Sequence, residues 1–254
     1  MNKEKHRLNL VIADLTCQIN LPDRTWYRYM KEKYRNFLAP NQRQAIDFRI
    51  SVESDRKRKT FLARKLGPKT MLISAPDNKR RFRRLNATLA LVFATLLIDR
   101  GGIVLHASAA KRDQRVYVFC ARSGGGKSTI IKNSKGISPL ADDAVITRKV
   151  GGKFFVYISP FLEKNKIERK NQKSEIAKIA FIRHATNNRV RTVTKTDGQM
   201  RLMKFSLGAL PIRELKKQFP KIWNLCGELA HQIDLVELEF TKNCSFWPLL
   251  EKSQ

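Results

Sequence analysis

The sequence has few cysteines, no long apolar run and a shortage of acidic residues. Its four cysteines, Cys17, Cys120, Cys226 and Cys244, include no Cys-x-x-Cys pair. This scatter argues against a zinc ribbon or a disulfide scaffold and is typical of a reducing compartment, so we expect a cytoplasmic protein. The longest apolar stretch, 85–98, is too short to span a bilayer. The N-terminal residues also lack the apolar core of a signal peptide, so the sequence predicts no membrane span.

Acidic residues are outnumbered throughout the chain. There are 22 Asp and Glu against 51 Lys and Arg, which gives a formal net charge of +29. The excess is +14 over residues 1–100 (23 basic, 9 acidic) and +15 over residues 101–254 (28 basic, 13 acidic), so it is not confined to a tail. Such a field attracts nucleic acid, anionic lipid, nucleotides or an acidic partner. A general bias toward Lys and Arg on solvated faces is the simpler interpretation.

The apolar content predicts a folded chain with two parts. Hydrophobic residues make up 42% of 254 residues, which is enough for a sizeable core. Residues 1–76 are interpreted as a small β-rich module with one helix over 26–38, capped by Asp23. Strands are expected there at 8–13, 16–21, 46–52, 60–66 and 70–74.

Residues 77–254 are predicted to form an α/β domain. A helix that is apolar nearly all round is expected to end at Gly101-Gly102. A long helix over 211–231 is predicted to carry Trp223 and Leu225 on its apolar side. Strands are predicted at 103–107, 116–120, 137–141, 144–147, 154–158, 178–183, 190–194 and 234–240.

A basic cluster marks the start of the apolar helix, which Asp77 is expected to cap. It consists of Lys79, Arg80, Arg81, Phe82, Arg83 and Arg84. The first turn of a helix disfavours positive charge, so this placement hints at contact with phosphates. A solvated helix end is the alternative interpretation.

The segment Ser123-Gly124-Gly125-Gly126-Lys127-Ser128-Thr129 carries the clearest functional signal. It follows an apolar predicted strand and opens a predicted helix, which is the setting of a phosphate-binding loop. Glycines let backbone N–H groups turn toward phosphate oxygens, and the helix N-terminus adds partial positive charge. Lys127 is expected to reach the β- and γ-phosphates of ATP, and the Ser128 hydroxyl to ligate Mg²⁺. Ala121 occupies the place of the first glycine of the usual pattern.

Two adjacent carboxylates, Asp142 and Asp143, follow Lys127 by about 15 residues within an apolar setting. Such a pair is costly to bury without a cation, and Mg²⁺ held by Ser128 and the phosphates would supply one. One carboxylate could then act as general base toward a hydroxyl. If the pair ends a strand, we expect the two side chains to point to opposite sides.

His106 ends an apolar predicted strand about 20 residues before the loop. We expect this strand to lie beside the strand that leads into the loop, which would place the imidazole near the phosphates. A packed core histidine is the alternative. The other histidines, His6, His184 and His231, show no comparable setting.

Taken together, these residues resemble a known family. The order of His106, the loop and the Asp142-Asp143 pair is similar to the catalytic domain of HPr kinase/phosphorylase. It is more similar still to the HPr kinase-related proteins that have a shorter N-terminal part. The segment DLVELEFTKNCSFWPLL and the helix leading into LHASA also resemble that family, so the resemblance covers roughly residues 85–250.

The resemblance implies a fold like that of phosphoenolpyruvate carboxykinase and ATP-dependent phosphorylation of a hydroxyl, usually on serine. It implies that Asp142 and Asp143 share Mg²⁺ binding and base duty, and that His106 lies close to the transferred phosphate. The bifunctional members tend to have Glu where this loop has Thr129, and they carry a second Gly-rich stretch that is not found here. Phosphorylase activity and HPr as the substrate are therefore not part of the expectation.

We therefore expect an α/β chain with a P-loop kinase core over 77–254. It would use ATP and Mg²⁺ to phosphorylate a peptide or protein, and a short acidic peptide would suit the charge. A homo-oligomer is left open, and nucleic acid is the less favoured partner. The alternatives are a kinase of a small hydroxylated metabolite, a nucleotide-gated nucleic-acid-binding protein, and a scaffold that binds ATP without turnover. The aspartate pair favours an enzyme over the last two, because binding alone needs at most one carboxylate.

Overall fold

A computed structural model describes residues 6–41, 44–55, 57–76, 81–161, 171–207 and 212–252. Over these ranges the chain is mixed α/β, with two β-sheets and six α-helices, as the sequence predicts for its fold class. It divides into two compact units. The first comprises the described residues up to Leu96 with Pro160, Phe161 and Asn171, and the second comprises Leu97–Ser159 and the described residues from Gln172 onward. The boundary expected after residue 76 stays a prediction.

The first unit contains a five-stranded sheet and two helices. Its elements are β1 (Arg7–Ile12), β2 (Leu15–Asn20), α1 (Arg24–Lys33), a 3₁₀ helix (Arg35–Phe37), β3 (Phe48–Asp55), β4 (Leu62–Gly67), β5 (Thr70–Pro76) and most of α2 (Arg81–Ile98). The strand order is β1-β2-β3-β5-β4, with the three central strands parallel and both edge strands antiparallel to their neighbours.

Local chemistry explains where α1 begins and ends. The Asp23 carboxylate accepts hydrogen bonds from the N–H groups of Thr25 (2.7 Å) and Trp26 (3.1 Å), which confirms the predicted cap. The helix expected over 26–38 is instead α1 followed by the 3₁₀ helix. Tyr34 separates the two segments, and its buried hydroxyl donates to the Asn86 side chain at 2.7 Å.

The second unit is built on a nine-stranded sheet that carries four helices. Its elements are β6 (Gly102–Leu105), β7 (Ala107–Arg112), β8 (Arg115–Cys120), α3 (Lys127–Asn133), β9 (Ser138–Ala141), β10 (Val145–Val150), β11 (Lys153–Tyr157), β12 (Lys173–His184), β13 (Arg189–Thr192), α4 (Lys195–Leu207), α5 (Ile212–Gln232), β14 (Asp234–Phe240) and α6 (Trp247–Lys252). The strand order is β6-β10-β11-β12-β8-β7-β9, and β14 pairs with both β12 and β13.

Three parallel strands form the part of this sheet that positions the site. Strand β12 is parallel to β8 on the register Phe181 to Cys120, and parallel to β14 on the register His184 to Phe240. Their carboxyl ends therefore lie at one edge of the sheet, which is where ligands bind in open α/β sheets. Ile130 of α3 and Trp247 of α6 belong to the buried apolar cluster that these strands share.

The structure corrects several predictions in this unit. The strand expected over 103–107 is broken at His106, because β6 pairs with β10 whereas β7 pairs with β8 and β9. The sequence predicts both Trp223 and Leu225 on the apolar side of the long helix, but Trp223 is exposed and only Leu225 is buried. Helices α4 and α6 were not predicted. Among the described helices, none has the length and apolar character needed to cross a bilayer.

The four cysteines are free thiols, and all of them are buried. Burial raises the pKa of Cys17, Cys120 and Cys226 to about 12, and it also raises the pKa of Cys244. A thiol with a pKa of 12 is about one part in ten thousand ionised at pH 8, and the thiolate is the reactive form.

We therefore expect a colorimetric thiol reagent to modify native protein at pH 8 far more slowly than denatured protein, in which all four thiols react. The raised pKa values favour the native state below the unfolded thiol pKa of about 8.5. This contribution to stability is lost as pH rises from there toward 12. A single cysteine that reacts in native protein at the denatured rate would contradict the burial.

Candidate functional site

The glycine-rich loop connects β8 to α3, as its sequence predicts. Gly124 and Gly126 have positive φ angles of 79° and 100°, which a residue with a Cβ rarely adopts. Gly126 is the N-cap of α3, and the first intrahelical hydrogen bond runs from the Ile130 N–H to the Gly126 carbonyl at 3.0 Å. The N–H groups of the first helical turn have no partner within the helix and are suited to bind an anion.

Close packing as well as conformation requires glycine at this turn. A Cβ added to Gly126 would lie 2.4 Å from Cζ of Phe240 and 2.8 Å from Nε2 of His184. A Cβ added to Gly125 would lie 2.7 Å from Cβ of Ala121, the residue at the first-glycine position. The loop therefore rests on the ends of β12 and β14, and larger side chains would displace it.

Lys127 is the best-anchored side chain of the loop. It is 6% exposed, and its ammonium donates hydrogen bonds to the carbonyls of Ala121 (2.7 Å) and Arg122 (3.2 Å). It also lies 3.1 Å from Nε2 of His106. An ammonium can only donate, so Nε2 accepts, and the neutral ring then carries its proton on Nδ1.

His106 occupies the break between β6 and β7, where it contacts Phe205 and Asp143 as well as Lys127. Its backbone N–H donates to the Phe205 carbonyl at 2.8 Å. Its Nδ1 donates to the Asp143 carbonyl at 3.2 Å and lies 3.5 Å from the Asp143 carboxylate. The strand that ends at His106 was expected beside the strand of the loop, and this expectation is wrong, because β6 pairs with β10. It is β7, the strand that follows His106, that pairs with β8. The imidazole thus joins Lys127 to Asp143.

The aspartate pair follows β9 and does not belong to it. Asp142 is 2% exposed, whereas the Asp143 side chain is 26% exposed. Asp143 has a φ of 76°, so the alternation of an extended strand ends at Ala141. The pair therefore does not end a strand, which was the condition for expecting its side chains on opposite sides. Both residues line the same cavity.

That cavity brings together most of the predicted site residues. They are Ser123, Gly124, Gly126, Lys127, Ser128, Thr129, Asp142 and Asp143, while Gly125 packs against Ala121 behind them and His106 contacts Lys127. Ser128 and the two aspartates offer the oxygen ligands that Mg²⁺ prefers. Within the described ranges, no group of three or more His, Cys, Asp or Glu side chains could hold a metal ion by itself. The residues therefore fit a magnesium ion that also takes ligands from phosphate oxygens or water.

Sequence reasoning missed two residues next to the loop. His184 and Phe240 end the parallel strands β12 and β14, and their rings meet each other 4.6 Å apart directly against Gly126. Both strands were predicted, so the residues at their carboxyl ends could have been considered as candidates for the site. What the sequence does not show is that the two strands are neighbours in the sheet.

The basic cluster lies only partly within the described residues. Asp77, Lys79 and Arg80 are outside them, as are the side chains of Arg81 and Arg83. Phe82 stacks on Tyr29 with 4.2 Å between ring centroids and meets Trp26 edge-on at 5.2 Å. The aromatic residue of the cluster therefore contributes to packing in the first unit.

Compared with known proteins, the chain matches no family model and no curated protein.

Proposed function

We propose that the chain is a kinase with a P-loop core similar to that of HPr kinase, which uses ATP and Mg²⁺ to phosphorylate a hydroxyl. We further propose that the hydroxyl belongs to a serine of a peptide or protein. The observation that carries this proposal is the shared cavity, in which the loop, Lys127 and both aspartates face one space. A loop that only bound nucleotide would not need a second carboxylate there. We propose the cytoplasm as its location on the sequence evidence above.

The residues divide into two roles in this proposal. Backbone N–H groups at the start of α3, together with Lys127, hold the phosphates and offset their negative charge. ATP supplies the transferable phosphoryl group, and Mg²⁺ supplies positive charge beside it. The chain itself then has to bring an acceptor hydroxyl into line and remove its proton.

Asp143 is the better candidate for the base. It is the more exposed of the two aspartates, so a hydroxyl can reach it, and its contact with His106 fixes its position relative to Lys127. Asp142 is nearly fully buried, and a buried carboxylate is best stabilised by a nearby cation. We therefore assign Asp142 to Mg²⁺ and Asp143 to the acceptor, with His106 as a positioning residue.

The test is a phosphate-transfer assay with γ-labelled ATP, Mg²⁺ and two sets of acceptors. One set contains serine, threonine and tyrosine peptides, and the other contains small hydroxylated metabolites. We expect acid-stable label on serine peptides. Label on a metabolite alone would favour the alternative of a small-molecule kinase, and tight ATP binding with no transfer to either set would contradict kinase function.

A further inference from the structure

A second cavity lies beside the loop, and the Lys127 ammonium contacts two of the residues that line it. It is lined by the end of β8 and the loop residues Ala121 and Arg122, by β12, by α4 and by Glu237 of β14. Lys127 donates to the carbonyls of Ala121 and Arg122, and the His106 N–H donates to the carbonyl of Phe205, another lining residue. Three residues that line the second cavity, Ala121, Arg122 and Phe205, are therefore bound directly by Lys127 and His106.

The position of the second cavity indicates which end of a bound nucleotide would lie nearest to it. In loops of this type the backbone cradles the inner phosphates, and the lysine reaches the β- and γ-phosphates. The Lys127 ammonium lies against the first residues of the loop, which also line the second cavity. The terminal phosphate would thus lie at the end nearer the second cavity, which is the side that an acceptor must approach.

The second cavity is lined by two aromatic rings and by an excess of positively charged side chains. The rings of Phe181 and Phe205 stack 6.1 Å apart, and the Arg201 guanidinium lies over Phe181 at 5.4 Å. The lining residues that the structure describes include four cations, Arg122, Arg183, Arg201 and Lys204, and one carboxylate, that of Glu237.

Existing ion pairs account for two of these cations. Arg201 binds Asp197 and Glu237, each at 2.9 Å, and Arg183 binds Glu237 and Glu239. Arg122 and Lys204 are exposed, and neither has a carboxylate partner within the part of the chain that the structure describes. These two side chains are placed to receive an anion from outside.

We propose that the second cavity binds the acceptor, and that it selects a peptide with an acidic residue close to the phosphorylated hydroxyl. The inference rests on the proposed kinase function for the identity of the ligand. Lys204 and Arg122 bind the acidic side chain, and Phe181 and Phe205 contact an apolar neighbour. The positive charge of this cavity also explains part of the net charge of +29, because it would steer a negatively charged peptide toward the cavity.

The proposal can be tested by binding, independently of turnover. Labelled serine peptides are prepared in matched pairs that differ only by Asp or Asn at one flanking position, with Phe beside it. Their affinities are measured by fluorescence anisotropy in Mg·ADP. At the matching position we expect the Asp peptide to bind about tenfold tighter, the ratio expected for one hydrogen bond to a charged group.

Two variants with the same change in net charge test whether the preference for Asp arises at the second cavity. Lys204→Glu should abolish the preference for Asp over Asn, whereas Lys217→Glu, at an exposed lysine of α5, should retain it. Thermal unfolding of both variants checks that the fold persists. Equal affinity of wild type for both members of every pair would overturn the proposal, and so would an equal loss in both variants.

The same peptides separate this inference from the kinase function. Transfer of phosphate to peptides without any preference for Asp would overturn the acceptor cavity and leave the kinase standing. A Lys204-dependent preference for Asp without any phosphate transfer would overturn the kinase function. The second cavity would then be a binding site for acidic peptides.

Discussion

Replacing Lys127 by Ala is expected to weaken binding of Mg·ATP by more than tenfold. The ammonium is the only side-chain cation among the described residues that line the first cavity, and a charge-assisted hydrogen bond contributes about 1.5–3 kcal/mol. Loss of the contact also leaves the carbonyls of Ala121 and Arg122 without this donor. Isothermal titration calorimetry with ATP and Mg²⁺ gives the affinity directly.

A neighbouring lysine provides the matched control. Lys132 lies on the same helix α3 and is exposed, so Lys132→Ala should bind Mg·ATP as wild type does. Circular dichroism and thermal unfolding show whether each variant keeps its fold. If Lys127→Ala remains folded and binds ATP with unchanged affinity, the loop does not hold the phosphates and the proposed function loses its basis.

The elements that the sequence predicts well are those specified by neighbouring residues. An apolar run, three glycines and a lysine place β8, the loop and α3 within a few residues of one another, and all three occur where expected. The Asp23 cap is another case, because its hydrogen bonds reach only two and three residues along the chain. Short-range chemistry of this kind does not depend on the rest of the fold.

Helix α4 shows how long-range packing hides a local signal. Gly198 interrupts its helical pattern, yet a Cβ at that position would lie 2.1 Å from Cδ1 of Leu235, so the glycine allows helix and strand to approach closely. A start signal was nevertheless present. Thr194 accepts a hydrogen bond from the Asp197 N–H at 3.3 Å, and a threonine followed three residues later by an acidic residue is a known helix start.

The site itself was predictable in its residue types and not in its geometry. The sequence identified His106, Lys127 and the aspartate pair, but it did not predict that His106 sits at a strand break and bridges the other two. Nor could it show that α4 and β12 form a second cavity beside the loop. Both features depend on pairing between strands far apart in the chain, which local patterns do not encode.

Replacing each aspartate by Asn is expected to give two distinct phenotypes. Asp143→Asn keeps the size of the side chain but removes its basicity, and a general base typically contributes about 10²–10⁴-fold to the rate. We expect a loss of this order in phosphate transfer, while Mg·ATP binds with its normal affinity. Asp142→Asn removes a negative charge from a nearly fully buried position in the cavity that Ser128 also lines. This variant should need a higher Mg²⁺ concentration to reach half of its remaining activity.

Magnesium titrations of the transfer rate at saturating acceptor, read together with ATP affinities, distinguish these outcomes. His106→Ala helps to interpret them, because a residue that only positions Asp143 should lower the rate and leave both the Mg²⁺ requirement and ATP binding unchanged. An exchange of the two phenotypes would reverse our assignment, so that the buried Asp142 would be the base and the partly exposed Asp143 the metal ligand. Wild-type transfer by both Asn variants would remove the carboxylates from the chemistry altogether. The cavity would then be a nucleotide-binding site without a base, and the kinase proposal would fail because nothing else along its described walls can accept the proton.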